Sequence, residues 1–502
     1  MDTLSIAKSN ILTRRLDVGF CLCVTIIYFF VTTFSKQIYL FLDYSSSLGL
    51  RDLAFFQQAL HSFTTDGTFE TSLGAHDHQS IFGEHAFFFL VFLIPLYFIT
   101  KTPLLLMLSQ PAAYILMVFP VYKILKDVYN EDLKTIYLVL MLLLINPAYN
   151  VTLQNFNIYG FHLEFYFPVL FLTAYYFYAT ANLPLFIVFY LLSLSIIEYY
   201  SLVWIAFSLY MIFVNKNPQR IDFFVFVFSL AYFTCMFLFF VPYFRGTSLP
   251  WYARRLSMGS PDFDFDIISL VKTLSINLVF NFAIFVFLPL KNRQTLVLLL
   301  PWYFAFILAY LNGYGAPLSA GSWHANAIYP LILVGYIQEF EKISARHIKI
   351  NILKAGFAIA VVFFALIQYS KPAYSSGIWP LISKYSELRN DYHVIQSIKD
   401  TMKDQPTLVS FQLGKYFGDF KDVNRLENGT VIGKNVQYIL YYSGGVPPLD
   451  NRKLREIKSK YKVTKEYKDI ILFEKLGMDE KSPFSLNTRP TNQRFTFTYR
   501  NS

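Results

Sequence analysis

The sequence predicts a mainly α-helical polytopic membrane protein, with a small C-terminal α/β domain outside the bilayer. Three observations carry this. Apolar residues make up 55% of the 502, aromatics 19%, and charged residues only 15%, against about 25% charged in soluble domains. The apolar residues come in long runs, many near the length that crosses a bilayer. After about residue 370 the runs stop, and turns, charges and short β-rich stretches take over. A backbone in lipid must satisfy its own hydrogen bonds, so the spans are helices.

The same numbers exclude other classes. The net charge of +10 does not point to nucleic acid, because membrane proteins collect Lys and Arg in cytoplasmic loops. Cys21, Cys23 and Cys235 all fall in apolar runs, which gives neither a metal-ligand spacing nor a disulfide framework.

In chain order, a basic start with Lys8, Arg14 and Arg15 leads into an apolar run from about Val18 to Phe34. No small-residue cleavage site follows, so this reads as an uncleaved first span with the N-terminus cytoplasmic. A polar outer loop, residues 35–84, comes next. Its RDLAFFQQALHSF stretch has helical periodicity and is expected to lie on the membrane surface as an amphipathic helix. The run Ala86–Ile99 is short for a span. Taking it as a surface or re-entrant helix places the basic loop Lys123–Lys134 inside.

Further spans are expected over 104–122, 135–149, 166–180, 183–197, 200–214, 222–241, 270–290, 295–311, 326–340 and 352–369, making about eleven in all. About fourteen Lys and Arg then fall on the cytoplasmic side against about seven outside, which places the C-terminus outside. The domain reading is residues 1–370 in the membrane unit, 371–476 in an extracytoplasmic α/β domain, and 477–502 as a loose tail. Strands are expected at Thr407–Phe411, Val436–Tyr442 and Asp469–Lys475, with helix around KLREIKSKY.

Ionisable groups near a bilayer are costly, so their placement is informative. In this topology they gather at the outer ends of spans: Asp52; His76, Asp77 and His78; Glu84 and His85; His162 and Glu164; Glu198; Arg245, Arg254 and Arg255; Asp262, Asp264 and Asp266; and His324. Each has a structural alternative. Asp52 could cap or solvate a surface helix, His85 could be an interfacial side chain, and the Arg pair could meet lipid headgroups. Glu198 stands alone in an apolar hairpin, where an unpaired carboxylate costs several kcal/mol, so pairing or function is expected. Span centres hold almost no charge, unlike ion-coupled transporters. The layout suggests a reaction site at the outer membrane–water boundary.

These residues also carry a resemblance. The pattern resembles the GT-C-type membrane glycosyltransferases, and within them a predicted-membrane-protein family of unassigned substrate. That family has an Asp-Leu-x-x-Phe-x-Gln stretch after the first span, here DLAFFQQ with Asp52, Phe56 and Gln58. Its Gly-Asp-His motif appears as GEH with Gly83 and His85, leading to Pro95. Its Phe-His-x-Glu motif is FHLE, with His162 and Glu164, and its Lys-Glu-Asp motif keeps only Glu198. A late His matches His324. The family's Lys is Ile197 here, its Asp is Glu84, and its Ser-Pro is absent.

The resemblance implies an integral protein of a bacterial cytoplasmic (inner) membrane. It implies a polyprenyl-phosphate-linked sugar donor, an inverting transfer on the outer face, and a catalytic carboxylate in the first outer loop. The acceptor would be an envelope glycan, lipid or protein. We assign the general base to Asp52. Arg254 and Arg255 suit the leaving phosphate by charge and outer location. His85 and His324 suit hydrogen-bond or proton donation. For His162, Glu164 and Glu198 three roles stay open: ordering Asp52, binding sugar hydroxyls, or holding a divalent ion. No cofactor is assigned, a divalent metal stays open, and no metal ligand is named. The rival reading is a transporter or flippase for a lipid-linked or envelope substrate.

Overall fold

The computed structural model describes residues 3–45, 51–73, 79–146, 148, 160–214, 218–250, 266–312, 324–370, 378–402, 405–420, 422–428, 430–444 and 448–476. Most of the chain is helix. In order these are α1 (Thr3–Leu42), α2 (Arg51–Asp66) and α3 (Leu90–Thr100). Next come α4 (Pro103–Val128), α5 (Leu133–Leu144), α6 (Phe167–Ala179), α7 (Leu183–Leu194), α8 (Ser201–Phe213), α9 (Arg220–Arg245) and α10 (Ile267–Phe285). Last in the bundle are α11 (Arg293–Leu311), α12 (Ala325–Glu341) and α13 (Arg346–Ser370).

Five stretches are long and apolar enough to cross a membrane: Cys21–Leu42, α4, α9, α10 and α11. The protein is therefore an integral membrane protein. The expected count of about eleven spans is finer than this, because α5 and α7 are 12 residues and α6 and α8 are 13. At 1.5 Å per residue they rise about 18–20 Å, short of a core about 30 Å thick. On α9, Phe223, Phe224, Val227 and Leu230 are exposed, as a lipid-facing surface requires.

The helices run between two ends of the bundle. At one end Lys349 pairs with Glu131, Arg346 lies 3.8 Å from Asp132, and Asn292 donates to Glu339. Asp132 and Asn292 also cap helices there, accepting from Thr135 N at 3.3 Å and Thr295 N at 2.9 Å, which satisfies first-turn amides. The other end carries α2, the candidate site and the C-terminal domain. Helix α3 rises only about 16 Å, and both its ends stay at this end. Phe89 N donates to Ser195 O at 2.7 Å, and α4 starts again just beyond Thr102, sending Gln110 to Gly160 O at 3.0 Å.

The expected span over 270–290 is broken. Its helix stops at Phe285, Val286 and Phe287 have φ of 52° and 53°, and a short turn runs over Leu288–Lys291. A β-branched residue in that region is strained. Helix α13 packs tightly on this break: a Cβ on Gly356 would lie 2.6 Å from Ile284 O.

The C-terminal unit is a helix, α14 (Ile378–Thr401), and a five-stranded sheet in the order β4-β3-β5-β7-β6. The strands are β3 (Thr407–Ser410), β4 (Val423–Leu426), β5 (Tyr438–Tyr442), β6 (Tyr461–Tyr467) and β7 (Ile470–Lys475), and α15 (Asn451–Lys460) precedes β6. A small hairpin, β1 (Glu70–Thr71) with β2 (Gln79–Ser80), lies in the first loop. β3 pairs parallel with β4 and β5, Thr407 opposite Val423 and Tyr438, while β7 is antiparallel to β5 and β6. Alternation splits the sheet's apolar residues. Val409, Leu440 and Leu472 face α14 and the membrane unit; Leu408, Ile439 and Phe473 face Ile457 of α15.

This sheet docks on the first helices. Lys415 Nζ donates to the carbonyls of Leu40 (2.9 Å) and Asp43 (2.6 Å), and Tyr416 OH donates to those of Phe41 (2.9 Å) and Leu42 (3.1 Å). The last carbonyls of α1, which a helix leaves without partners, are thus capped from 375 residues away. Helix α2, expected to lay an apolar face on lipid, has its apolar faces covered by protein instead. Leu53–Leu60 are all buried, with Ala54 in the C-terminal core and Phe56 in the bundle core. Its two apolar faces serve two partners, which a lipid-surface reading of the same periodicity does not anticipate.

Candidate active site

Asp52 sits in the first turn of α2, and the helix places it by packing Phe56, one turn on. The Phe56 ring lies 5.1 Å from that of Phe87 and 5.2 Å from that of Phe161. Those two residues flank the other site segments, so one aromatic cluster sets the spacing of three chain segments. Gly83 allows the second segment to approach: a Cβ there would lie 3.3 Å from the Arg245 backbone.

Two histidine–carboxylate arrangements result. In the first, His162 Nε2 lies 3.3 Å from Asp52 Oδ2 and His162 Nδ1 lies 3.5 Å from Glu164 Oε2. His162 and Glu164 are buried, while the Asp52 side chain is 25% exposed. The strand-like segment holding His162 is pinned by Gln110, which accepts from His162 N at 3.0 Å and donates to Gly160 O at 3.0 Å. Burial alone lowers the His162 pKa, but Glu164 and Asp52 overcome it and raise the value. Burial likewise works to raise Glu164, and His162 pulls it below the usual carboxylate range. Each group of the buried pair thus favours the charged form of the other, and Asp52 is the outward-facing partner.

In the second, His85 Nδ1 meets Glu198 Oε1 at 2.7 Å, and Ala86 N donates to Glu198 Oε2 at 2.9 Å. Glu198, isolated in the sequence, is fully buried and paired. A buried carboxylate needs such partners. Burial opposes protonation of His85, yet Glu198 raises its pKa. His324, at the start of α12, is within electrostatic reach of Glu164, His162 and His85. Burial pushes its pKa down to about 3. The structure brings together Asp52, His85, His162, Glu164, Glu198 and His324.

Arg254 and Arg255 lie outside the described residues, as do His76, Asp77, His78, Asp262 and Asp264. Asp266 caps α10, accepting from Ile268 N at 2.9 Å and Ser269 N at 3.0 Å. Arg245, one of the charges noted at the span ends but given no role there, lies at the rim, donating to Gly83 O at 3.3 Å and sitting 3.7 Å from Glu84 Oε1. One contributor, Gln110, was not singled out from sequence. It was legible as a lone amide in an apolar run, since a buried amide must find partners. Among the described residues, no group of three or more His, Cys, Asp or Glu converges as a metal site requires.

The fold and site define a polytopic helical membrane protein with a histidine–carboxylate site at one end of its bundle, roofed by a small α/β unit. The chain belongs to the family described as predicted membrane protein (DUF2079), whose model matches residues 46–410. Among solved structures, the crystal structure of ArnT from Cupriavidus metallidurans bound to undecaprenyl phosphate is similar with a TM-score of 0.40 at 10% identity. The match covers 88% of this chain and 97% of that one. At that score the likeness is one of outline alone. No curated protein sequence matches.

Proposed function

We infer that the protein is an inverting membrane glycosyltransferase. It moves a sugar from a polyprenyl-phosphate donor to an acceptor hydroxyl on the outer face. The observation that carries the reading is the Asp52–His162–Glu164 arrangement, in which only the outermost carboxylate is open to a substrate. Asp52 takes the acceptor's proton as its oxygen bonds to the anomeric carbon, and the anomeric C–O bond to the lipid phosphate breaks. His162, oriented by Glu164, holds the Asp52 carboxylate in place for proton transfer.

The leaving phosphate gains negative charge, which cations and hydrogen-bond donors stabilise. Arg254 and Arg255 are proposed for this on charge and on chain position. They follow α9, whose last residue Arg245 is at the site rim. His85, backed by Glu198, and neutral His324 are proposed as donors to sugar or phosphate oxygens. The outer-face orientation is supported by Lys123, Lys126, Lys134, Arg346 and Lys349, which gather at the opposite end of the bundle.

The test is transfer by purified protein from polyprenyl-phosphate sugars, beside mass spectrometry of envelope glycans with and without the gene. Asp52→Asn is expected to lower turnover by about 10²–10⁴ while donor binding persists. Undiminished transfer refutes the base assignment. Movement of lipid-linked sugar across vesicles, with no transfer by the wild type, selects the flippase reading instead.

A further inference from the structure

The face of α2 turned away from Asp52 borders a second polar feature that the reaction above does not use. It is a shallow, open cleft enclosing about 70 Å³ between the C-terminal half of α2, the β1 segment, and the loop leading to β4. His61, Thr65, Asp66, Glu70 and Asp422 line it, and Phe420 forms an apolar wall.

The walls are fixed by one side chain. Gln58 Oε1 accepts from Thr71 Oγ1 (3.0 Å), Ser72 N (2.8 Å) and Leu73 N (3.0 Å). Its Nε2 donates to Ser72 Oγ (2.9 Å) and Phe420 O (3.1 Å). Ser72 also donates to Val423 O. The helix, the hairpin and the C-terminal domain are therefore tied together at the floor of the cleft, which is built before any ligand arrives.

Its chemistry narrows the ligand. Carboxylates accept from hydroxyls, threonine and imidazole can both donate and accept, and the phenyl ring offers an apolar contact. Three carboxylates disfavour a phosphate or an acidic sugar. Among the described residues, no His, Asp and Glu group has the convergence for a cation.

We propose that this cleft is a binding subsite for a hydroxyl-rich sugar chain without acidic groups, held between the helix that carries Asp52 and the C-terminal domain. Its role as an acceptor subsite rests on the glycosyltransferase reading; its ligand does not. Nine residues separate Asp52 from His61, about 14 Å of helix rise. The subsite thus engages a part of the acceptor remote from the reacting hydroxyl, where binding energy adds to positioning.

The experiment is saturation-transfer NMR on the full chain in detergent, with maltotriose, cellotriose and chitotriose as probes, and trigalacturonate and calcium as comparisons. At least one neutral trisaccharide is expected to bind. The pair Asp66→Asn with Asp422→Asn removes acceptor charge and is expected to weaken it about tenfold or more. Thr65→Trp fills the cleft from an exposed position and is expected to abolish binding without unfolding the chain. Asp52→Asn is expected to leave trisaccharide binding intact. Absence of any neutral-sugar binding, binding that survives both cleft variants, or binding of calcium or trigalacturonate alone overturns the proposal. Absence of transfer by the wild type, with neutral-sugar binding retained and lost in both cleft variants, counts against the glycosyltransferase reading and not against the cleft.

Discussion

Lys415→Met offers a test of how the two halves of the chain are joined. The ammonium is fully buried against the end of α1, and burial pushes its pKa down from 10.5 to about 7. A change of that size corresponds to about 5 kcal/mol between the protonated and neutral forms. Between pH 7 and 10.5 the unfolded chain binds a proton here that the folded chain has released. Stability therefore rises with pH across this window, and the penalty of the buried charge is fully present below it.

Met keeps the apolar stem but removes both donors to Leu40 O and Asp43 O. Each carbonyl left without a partner costs about 1–3 kcal/mol. At pH 6 that loss is offset by removing a charge that burial disfavours, so the variant is expected to melt close to wild type. At pH 9.5 the wild-type amine is neutral and still donates, so the variant is expected to melt clearly lower. Thermal unfolding of both proteins in the same detergent, at both pH values, measures the difference. A melting difference that is the same at both pH values, or larger at pH 6, refutes the reasoning.

Other outcomes follow from single contacts. Glu198→Gln removes the charge that raises His85. The ion pair's stability is present below the ordinary histidine value and lost as pH rises through the raised one, so the variant should lose about 3–5 kcal/mol at acidic pH, seen as a lower melting point. Phe56→Ala empties the centre of the aromatic cluster and should cost about 3–5 kcal/mol, with donor turnover falling as Asp52 loses its support. Gly356→Ala drives a methyl against the Ile284 carbonyl and should destabilise by about 1–3 kcal/mol, read by thermal unfolding. A cysteine replacing exposed Ser443 should react with an impermeant thiol reagent in intact spheroplasts; labelling only after lysis reverses the orientation.

Membrane class and C-terminal α/β character were legible because composition and run length report solvent directly. The runs at residues 407, 438 and 470 became strands, but β4 and β6 were missed. VNRL and YKVTKEY are too polar to stand out, since β6 is a sheet edge with exposed side chains. The role of α2 was misread because amphipathicity shows a helix has apolar faces and not what covers them. At the site, Asp52, His162 and Glu164 were found as costly groups near a bilayer. The partnership of Glu198 with His85 spans 113 positions and has no local signature. Gln58 looked like a motif residue, and only the fold shows it fastening three segments.

The capping of α1 by Lys415 and Tyr416 also sets a schedule. The carbonyls of Leu40–Asp43 and the outer face of α2 leave the ribosome early, and their partners follow 375 residues later. At about 5–20 residues per second, that interval is roughly 20–75 s. Through it the first helix has an uncapped end and α2 has an apolar face with no roof. The family match ends at residue 410, one strand into the sheet and just short of the capping turn at Phe411–Tyr416. A chain cut there would keep every carboxylate and histidine of the candidate site, yet hold them in the unfinished state that the nascent protein passes through.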